Sequence, residues 1–233
     1  MYYKLSNNFT VKDLKEAHGL NFKFPDIFER RSIIDGLDEE ILPIVLDKAP
    51  KTVDLGIWGI LPQDFNDDWQ VYQKVSNTLN LEIASIISTD HYGKVLRQRR
   101  CCILVSGFFG SYYQNGEIYP IYVYSGTSKV MALAGIYNIT NDGFVTCSLV
   151  LKKANSFIKN IHNISDSMPM VMNVDHISDW LGPNFTPLSC NGQDDFDTLD
   201  MKSHTIAKEF YKNNIIYDNI LDPVTYTSLI TDS

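Results

Sequence analysis

Residues 99–124 constrain this chain more than any other stretch. Arg99-Arg100 leads into Cys101-Cys102-Ile103-Leu104-Val105, an unbroken apolar run of buried-strand length. Ser106-Gly107-Phe108-Phe109-Gly110-Ser111 follows, with Gly107 and Gly110 bracketing an aromatic pair. Gln114-Asn115-Gly116 then signals a tight turn, because Asn-Gly tolerates the positive φ that a hairpin needs. Ile118 to Tyr124 reads as the returning strand. The pattern predicts a central hairpin whose first strand delivers a glycine-rich corner. Such a corner lets backbone approach a ligand closely. On this stretch alone, a plain core hairpin with a bulge is the reading that wins.

Other elements follow from local signals. Met1 to Ser6 is apolar enough to begin a strand. Thr10-Val11-Lys12-Asp13 resembles a capping box, with Asp for the usual Glu or Gln, and predicts a short helix stopped at Gly19. Residues 41–46 and 53–61 read as strands, the second ending at Pro62. Trp69, Tyr72 and Val75 recur at helical spacing within the polar stretch 64–79, which predicts a helix. Residues 81–87 fit strand or helix. Val130–Ile139 and Phe144–Leu151 form a second strand pair around Asn141-Asp142-Gly143. A helix over 154–161, a strand over 168–172 and a short helix over 175–181, closed by Gly182-Pro183, complete the reading. Many strands and few long helices point to α+β with a curled, barrel-like, mostly antiparallel β core and flanking short helices. No composition shift marks a linker, so residues 1–233 read as one domain.

Composition excludes several classes. A hydrophobic content of 44%, with 12% aromatic residues, supplies a sizeable core and argues against disorder. The net charge of −8 does not suit sequence-blind nucleic-acid binding, which relies on cations neutralising phosphates. The start lacks a signal-peptide pattern, and no apolar run approaches the roughly 20 residues of a membrane span. Cys101, Cys102, Cys147 and Cys190 lack metal-pair spacing and read as reduced thiols, so a cytoplasmic protein without metal or cofactor is expected. There is no phosphate loop, dinucleotide fingerprint or nucleophile elbow. His18, His91, His176 and His204 sit in polar contexts and read as solvated. His162 differs, since it follows the 154–161 helix and precedes Met168-Pro169. A histidine at such a junction can point into a cleft and exchange protons near neutrality, or simply favour a helix C-terminus by its charge.

Taken in order, several segments resemble one family. Trp58-Gly59-Ile60-Leu61-Pro62, then Asn80, Arg100-Cys101, Ser106-Gly107-Phe108-Phe109, Ala134-Gly135-Ile136-Tyr137, Ile161-His162 and Met168-Pro169 are similar to the SRAP family. These are the SOS-response-associated peptidases, also described as abasic-site shielding proteins. The likeness runs from Met1 to about Leu181. It implies an α+β domain with a barrel-like core. It also implies chemistry at residue 2, where the family carries a cysteine exposed by removal of methionine. Amine and thiolate condense there with the aldehyde of an abasic site in single-stranded DNA, giving a thiazolidine crosslink. The resemblance assigns the family's asparagine to Asn80 and its histidine to His162, which hold and protonate the opened sugar. Lys4 stands where the family has a basic phosphate contact. Arg100 and Trp58 are further candidates for contacting nucleic acid.

The departures from the family pattern concern the same chemistry. Position 2 is Tyr2, and a phenol with an ordinary pKa of about 10 cannot close a thiazolidine. A bulky second residue should also leave Met1 in place. Gly110 stands where the family has a glutamate, and Ser111 where it has a tryptophan. Glu82 stands where the asparagine motif has an arginine, and Ser167 replaces the arginine before Met168-Pro169. Two cations are lost and an anion is gained, so weak, salt-dependent engagement of single-stranded DNA is expected. The expected function is therefore SRAP-like, with crosslinking lost or impaired. The alternative is a family fold turned non-catalytic binder of another protein or a small ligand. A rebuilt site of Cys101 or Cys102 with His162 is disfavoured, because thiols in a buried strand are usually inert.

Overall fold

A computed structural model describes residues 2–183, 185, 199–212, 217–227 and 229. Met1, Cys190 and the side chain of His91 lie outside the described residues. The chain opens with β1 (Lys4–Asn7) and α1 (Val11–His18). Thr10 caps α1 through the expected box with Asp13, and Gly19 ends it. There follow β2 (Asn21–Phe22), β3 (Arg31–Asp35), β4 (Ile41–Leu46) and β5 (Thr52–Trp58). Next come α2 (Trp69–Ser76), β6 (Asn80–Glu82), α3 (Ile83–Ser88) and α4 (Asp90–Gln98). The centre of the chain forms β7 (Arg100–Val105), β8 (Gly107–Gln114), β9 (Glu117–Ser125), β10 (Met131–Ile139) and β11 (Val145–Lys153). α5 (Ser156–Ile161), β12 (Ser167–Pro169), β13 (Val171–Met172), α6 (Ile177–Leu181) and β14 (Met201–Thr205) complete it. The fold is α+β with a curled sheet, as the sequence implies.

Five strands close a barrel in the order β5-β4-β7-β10-β11, with β11 returning to β5. The first four pairings are antiparallel and the closing one is parallel, joining Thr146 to Ile57 and Cys147 to Trp58. Inward residues such as Ile44, Cys101, Ile103, Leu133 and Leu149 form one core. Outward residues such as Val45, Cys102, Leu104, Ala134 and Val150 form a second, with Leu14, Ile86, Leu96 and Trp180 from the helices. Burial on both faces explains why Cys101–Val105 reads as a continuous apolar run.

The central hairpin differs from the expectation in one respect. β7 and β8 do not lie in the same sheet. The chain changes sheet at Ser106, whose N–H donates to the Ser6 carbonyl at 2.7 Å. β8 then joins a five-stranded sheet ordered β14-β9-β8-β1-β3. The true hairpin is β8–β9, closed between Gln114 and Glu117. Its turn has φ of 53° at Asn115 and 83° at Gly116, the paired positive values that Asn-Gly favours.

Other boundaries shift for local reasons. The helix expected over 64–79 forms only at 69–76, capped by Asp68 and ended by Asn77 at a φ of 40°. The strand expected over 168–172 divides, because β12 pairs with β11 while β13 pairs with β10. Among the described residues no helix is long and apolar enough to cross a membrane.

The barrel interior is packed to the limit at Gly135. A Cβ there would lie 2.9 Å from Cys101 Sγ and 3.0 Å from the Ser148 carbonyl oxygen, and that oxygen belongs to a strand that cannot retreat freely. Gly135→Ala should therefore destabilise by about 2 kcal/mol, read as a lower urea midpoint at unchanged slope.

Candidate functional site

The N-terminal strand brings residue 2 to the end of the barrel. Tyr2 is buried, and its ring sits 5.6 Å from Phe108 and 5.4 Å from His162 between centroids. Its hydroxyl donates to the Ser167 carbonyl at 3.0 Å. Burial holds the phenol well above its ordinary pKa, and the negative charge of Glu82 adds to the effect.

Asn80 opens β6, which lies parallel to β11 with Asn80 opposite Leu149. Its Nδ2 donates to the Tyr2 carbonyl at 2.8 Å. His162 immediately follows α5, a helix capped by Asn155. Nδ1 of His162 accepts from the Ser111 N–H at 2.9 Å and lies 3.0 Å from the Ser111 carbonyl, so either protonation state finds a partner there. Burial lowers the imidazole pKa, and the Ser111 carbonyl partly opposes that. Gly110 faces the same ring, since a Cβ built on it would lie 3.4 Å from the His162 Cβ. Tyr2, Asn80, Gly110 and His162 thus converge, with Glu82 and Ser167 beside them. Asn80 Oδ1 and His162 Nε2 are both buried and lack a hydrogen-bond partner among the described residues. The site therefore offers one amide acceptor and one imidazole nitrogen for a ligand, behind a phenol ring.

The three nucleic-acid candidates are placed differently. Lys4 pairs with Asp35, its cross-strand neighbour, and lies 5.7 Å from the Phe210 ring. Its charge is already answered by a carboxylate. Arg100 corrects the expectation of a DNA contact. It is buried and donates to the carbonyls of Leu96, Arg97, Trp180 and Gly182, at the C-terminal ends of α4 and α6. Those are the carbonyls a helix leaves unsatisfied, and burial pulls the guanidinium pKa down. Trp58 is likewise fully buried, its indole N–H donating to Leu79 at 2.9 Å. Neither side chain is available to a strand of DNA.

Further sequence readings are also settled here. His18 is not solvated, since its ring is buried and bonds to Asp175 at 2.9 Å. His204 packs edge-on against the stacked Tyr122 and Tyr124 and bonds to the Leu221 carbonyl, whereas His176 is exposed. Cys101, Cys102 and Cys147 are buried free thiols, and burial raises Cys147 to about 12 and the other two further. None is poised as a nucleophile. Among the described residues no cluster suits a metal ion. The role of Ser167 was legible only as a lost arginine. That its carbonyl would hold the Tyr2 hydroxyl required the fold.

The family described as "SOS response associated peptidase (SRAP)" matches residues 23–211. The chain belongs to the SRAP family. It is 26% identical over 153 residues to the abasic site processing protein YoaM of Bacillus subtilis, a match covering 64% of each chain. The match thus spans under two thirds of that relative. A solved protein from Bacteroides thetaiotaomicron shares the fold at a TM-score of 0.80, with 18% identity over 96% of this chain and all of its own. One from Bordetella bronchiseptica does so at 0.71, with 10% identity over 88% of this chain and 99% of its own.

Two predictions follow from the placement of Arg100 and His162. Arg100→Met should cost about 3 kcal/mol, because several buried helix-end carbonyls lose their donor. Equilibrium urea unfolding reads the loss. For His162, the unfolded ring titrates near 6.5 and the folded one lower. Between those values the unfolded chain binds more protons, so His162's contribution is full above the unfolded pKa and falls as pH drops through the window. The urea midpoint should fall less between about pH 7.5 and 5.5 in His162→Gln than in the parent.

Proposed function

We propose that this SRAP protein belongs to abasic-site processing, engages single-stranded DNA weakly and non-covalently, and does not form the thiazolidine crosslink. One observation carries the reading. Asn80 holds the backbone of residue 2 in the site at 2.8 Å, yet the side chain delivered there is a buried phenol packed on His162. A thiazolidine needs an amine and a thiolate on the same residue, and Tyr2 has no thiol. Its hydroxyl is committed to Ser167, and its proton is held more tightly than in a free phenol. The family match and the name of the Bacillus subtilis relative support the link to abasic sites. The pairing of Lys4 with Asp35, and Glu82 beside Tyr2, support weak attraction for phosphate.

The Tyr2 hydroxyl meets the Ser167 carbonyl, and Gly110 presents no carboxylate to the ring of His162. Restoring one family residue alone therefore leaves the site incomplete. Gly110→Glu is sterically open at its first atom, because the added Cβ would make ordinary contact with His162.

A denaturing gel of protein mixed with abasic single-stranded DNA tests the reading. The parent chain should give no heat-stable shifted band, and Tyr2→Cys should give little. Tyr2→Cys combined with Gly110→Glu and Glu82→Arg should give a clear band. A stable band from the parent would refute the loss of chemistry.

A further inference from the structure

A cavity lies at the parallel β5–β11 seam, lined by none of the residues gathered around Tyr2. It encloses about 570 Å³. Ile57, Leu61, Phe65 and Trp69 form its apolar part, with the exposed Ile41 and Phe144, and three uncharged polar side chains join them. Ile41 and Phe144 are 48% and 59% exposed, which is unusual for large apolar side chains flanking a hollow. Around it stand Glu39, Asp67, Asp68 and Asp142, and no lysine or arginine among the described residues lines it. The carboxylates come from the approach to β4, from the loop before α2 and from the β10–β11 turn, so three separate segments place the same sign of charge on one hollow.

We propose that this cavity docks a basic peptide segment, with an apolar or aromatic side chain seated in the hollow and flanking lysines or arginines on the carboxylates. Charge complementarity selects the occupant. A nucleic-acid strand would find aromatic faces but would set its phosphates against four carboxylates. A second copy of this chain would bring another net charge of −8 to an acidic face. A bare polyamine would satisfy the carboxylates and leave the apolar walls uncovered. A peptide with an apolar anchor between cations meets both features, the usual form of anchor and polar rim.

Fluorescence anisotropy tests this with the full chain and a labelled peptide holding one tryptophan between paired arginines. Binding should weaken as salt rises. Phe144→Ser should lose about tenfold in affinity, since part of an aromatic contact goes. Glu39→Gln with Asp67→Asn should lose about fivefold. The same peptide with glutamates for arginines should not bind. All three substitutions change exposed side chains, and an unchanged thermal midpoint establishes that the variants are folded. Equal affinity of the parent and both variants would overturn the proposal. So would spermine binding as tightly as the peptide with no effect of Phe144→Ser. A labelled single-stranded oligonucleotide whose affinity falls in Phe144→Ser would overturn it in favour of a nucleic-acid surface.

Discussion

Five strands cannot close a barrel with every neighbour antiparallel, because alternation around an odd ring must fail once. Here it fails between β5 and β11. The parallel seam is short, so β11 is shared by two segments in tandem. β5 covers its first residues and β6 its later ones, with Gly59 donating to the Cys147 carbonyl and Leu149 donating to that of Leu79. Between those two bonds the chain leaves the barrel, forms α2 and returns to the same strand. Gly59 starts that departure at a φ of 110°, where a side chain would also strike Gln73. The indole of Trp58 pins the return by bonding to Leu79. Asn80, the next residue, is thereby fixed at the barrel end where Tyr2 arrives. The Trp58-Gly59 motif and Asn80 are coupled through barrel closure rather than through shared contact with a ligand.

That coupling explains what can change at the site and what cannot. Asn80 recognises backbone, the carbonyl of residue 2, and so is indifferent to the side chain there. A tyrosine can occupy the position without disturbing the frame that placed it. Its ring gains Phe108 and His162 as neighbours and its hydroxyl gains Ser167. The scaffold that places residue 2 is therefore physically separable from the chemistry of the side chain it delivers.

Local signals were legible wherever the deciding interaction is local. Asn115-Gly116 specified its turn, Thr10 and Asp13 their capping box, and residues 41–46 their strand. The 64–79 helix was over-read because Trp69 and Tyr72 carry the right spacing, while the residues before Asp68 have only turn chemistry. α4 was not anticipated at all, since Gly93 interrupts its stretch and its apolar stripe is only Tyr92, Val95 and Leu96. The family motifs single out Tyr2, Asn80, Gly110 and His162, and the fold sets these four side by side. Arg100 and Trp58, named with them, instead bond to helix ends and to a carbonyl distant in sequence. A cation beside a conserved-looking motif reads as a ligand contact, and only the fold reveals that two helix C-termini need it.

Net charge alone would not decide what this surface meets, because −8 spread evenly leaves room for a basic groove. Placement decides it. Lys4, the cation retained near residue 2, is bonded to Asp35 across a strand pair. Glu82 stands close enough to Tyr2 to raise its pKa. The aromatic hollow at the seam is ringed by carboxylates from three segments. These acids come from β3, β6 and several loops, and no single helix face or charge run accounts for them. An anion approaching the hollow meets carboxylate, and a cation meets carboxylate and then apolar side chains. The hollow thus carries a charge suited to a positive partner, on a scaffold whose family resemblance implies a polyanion at residue 2.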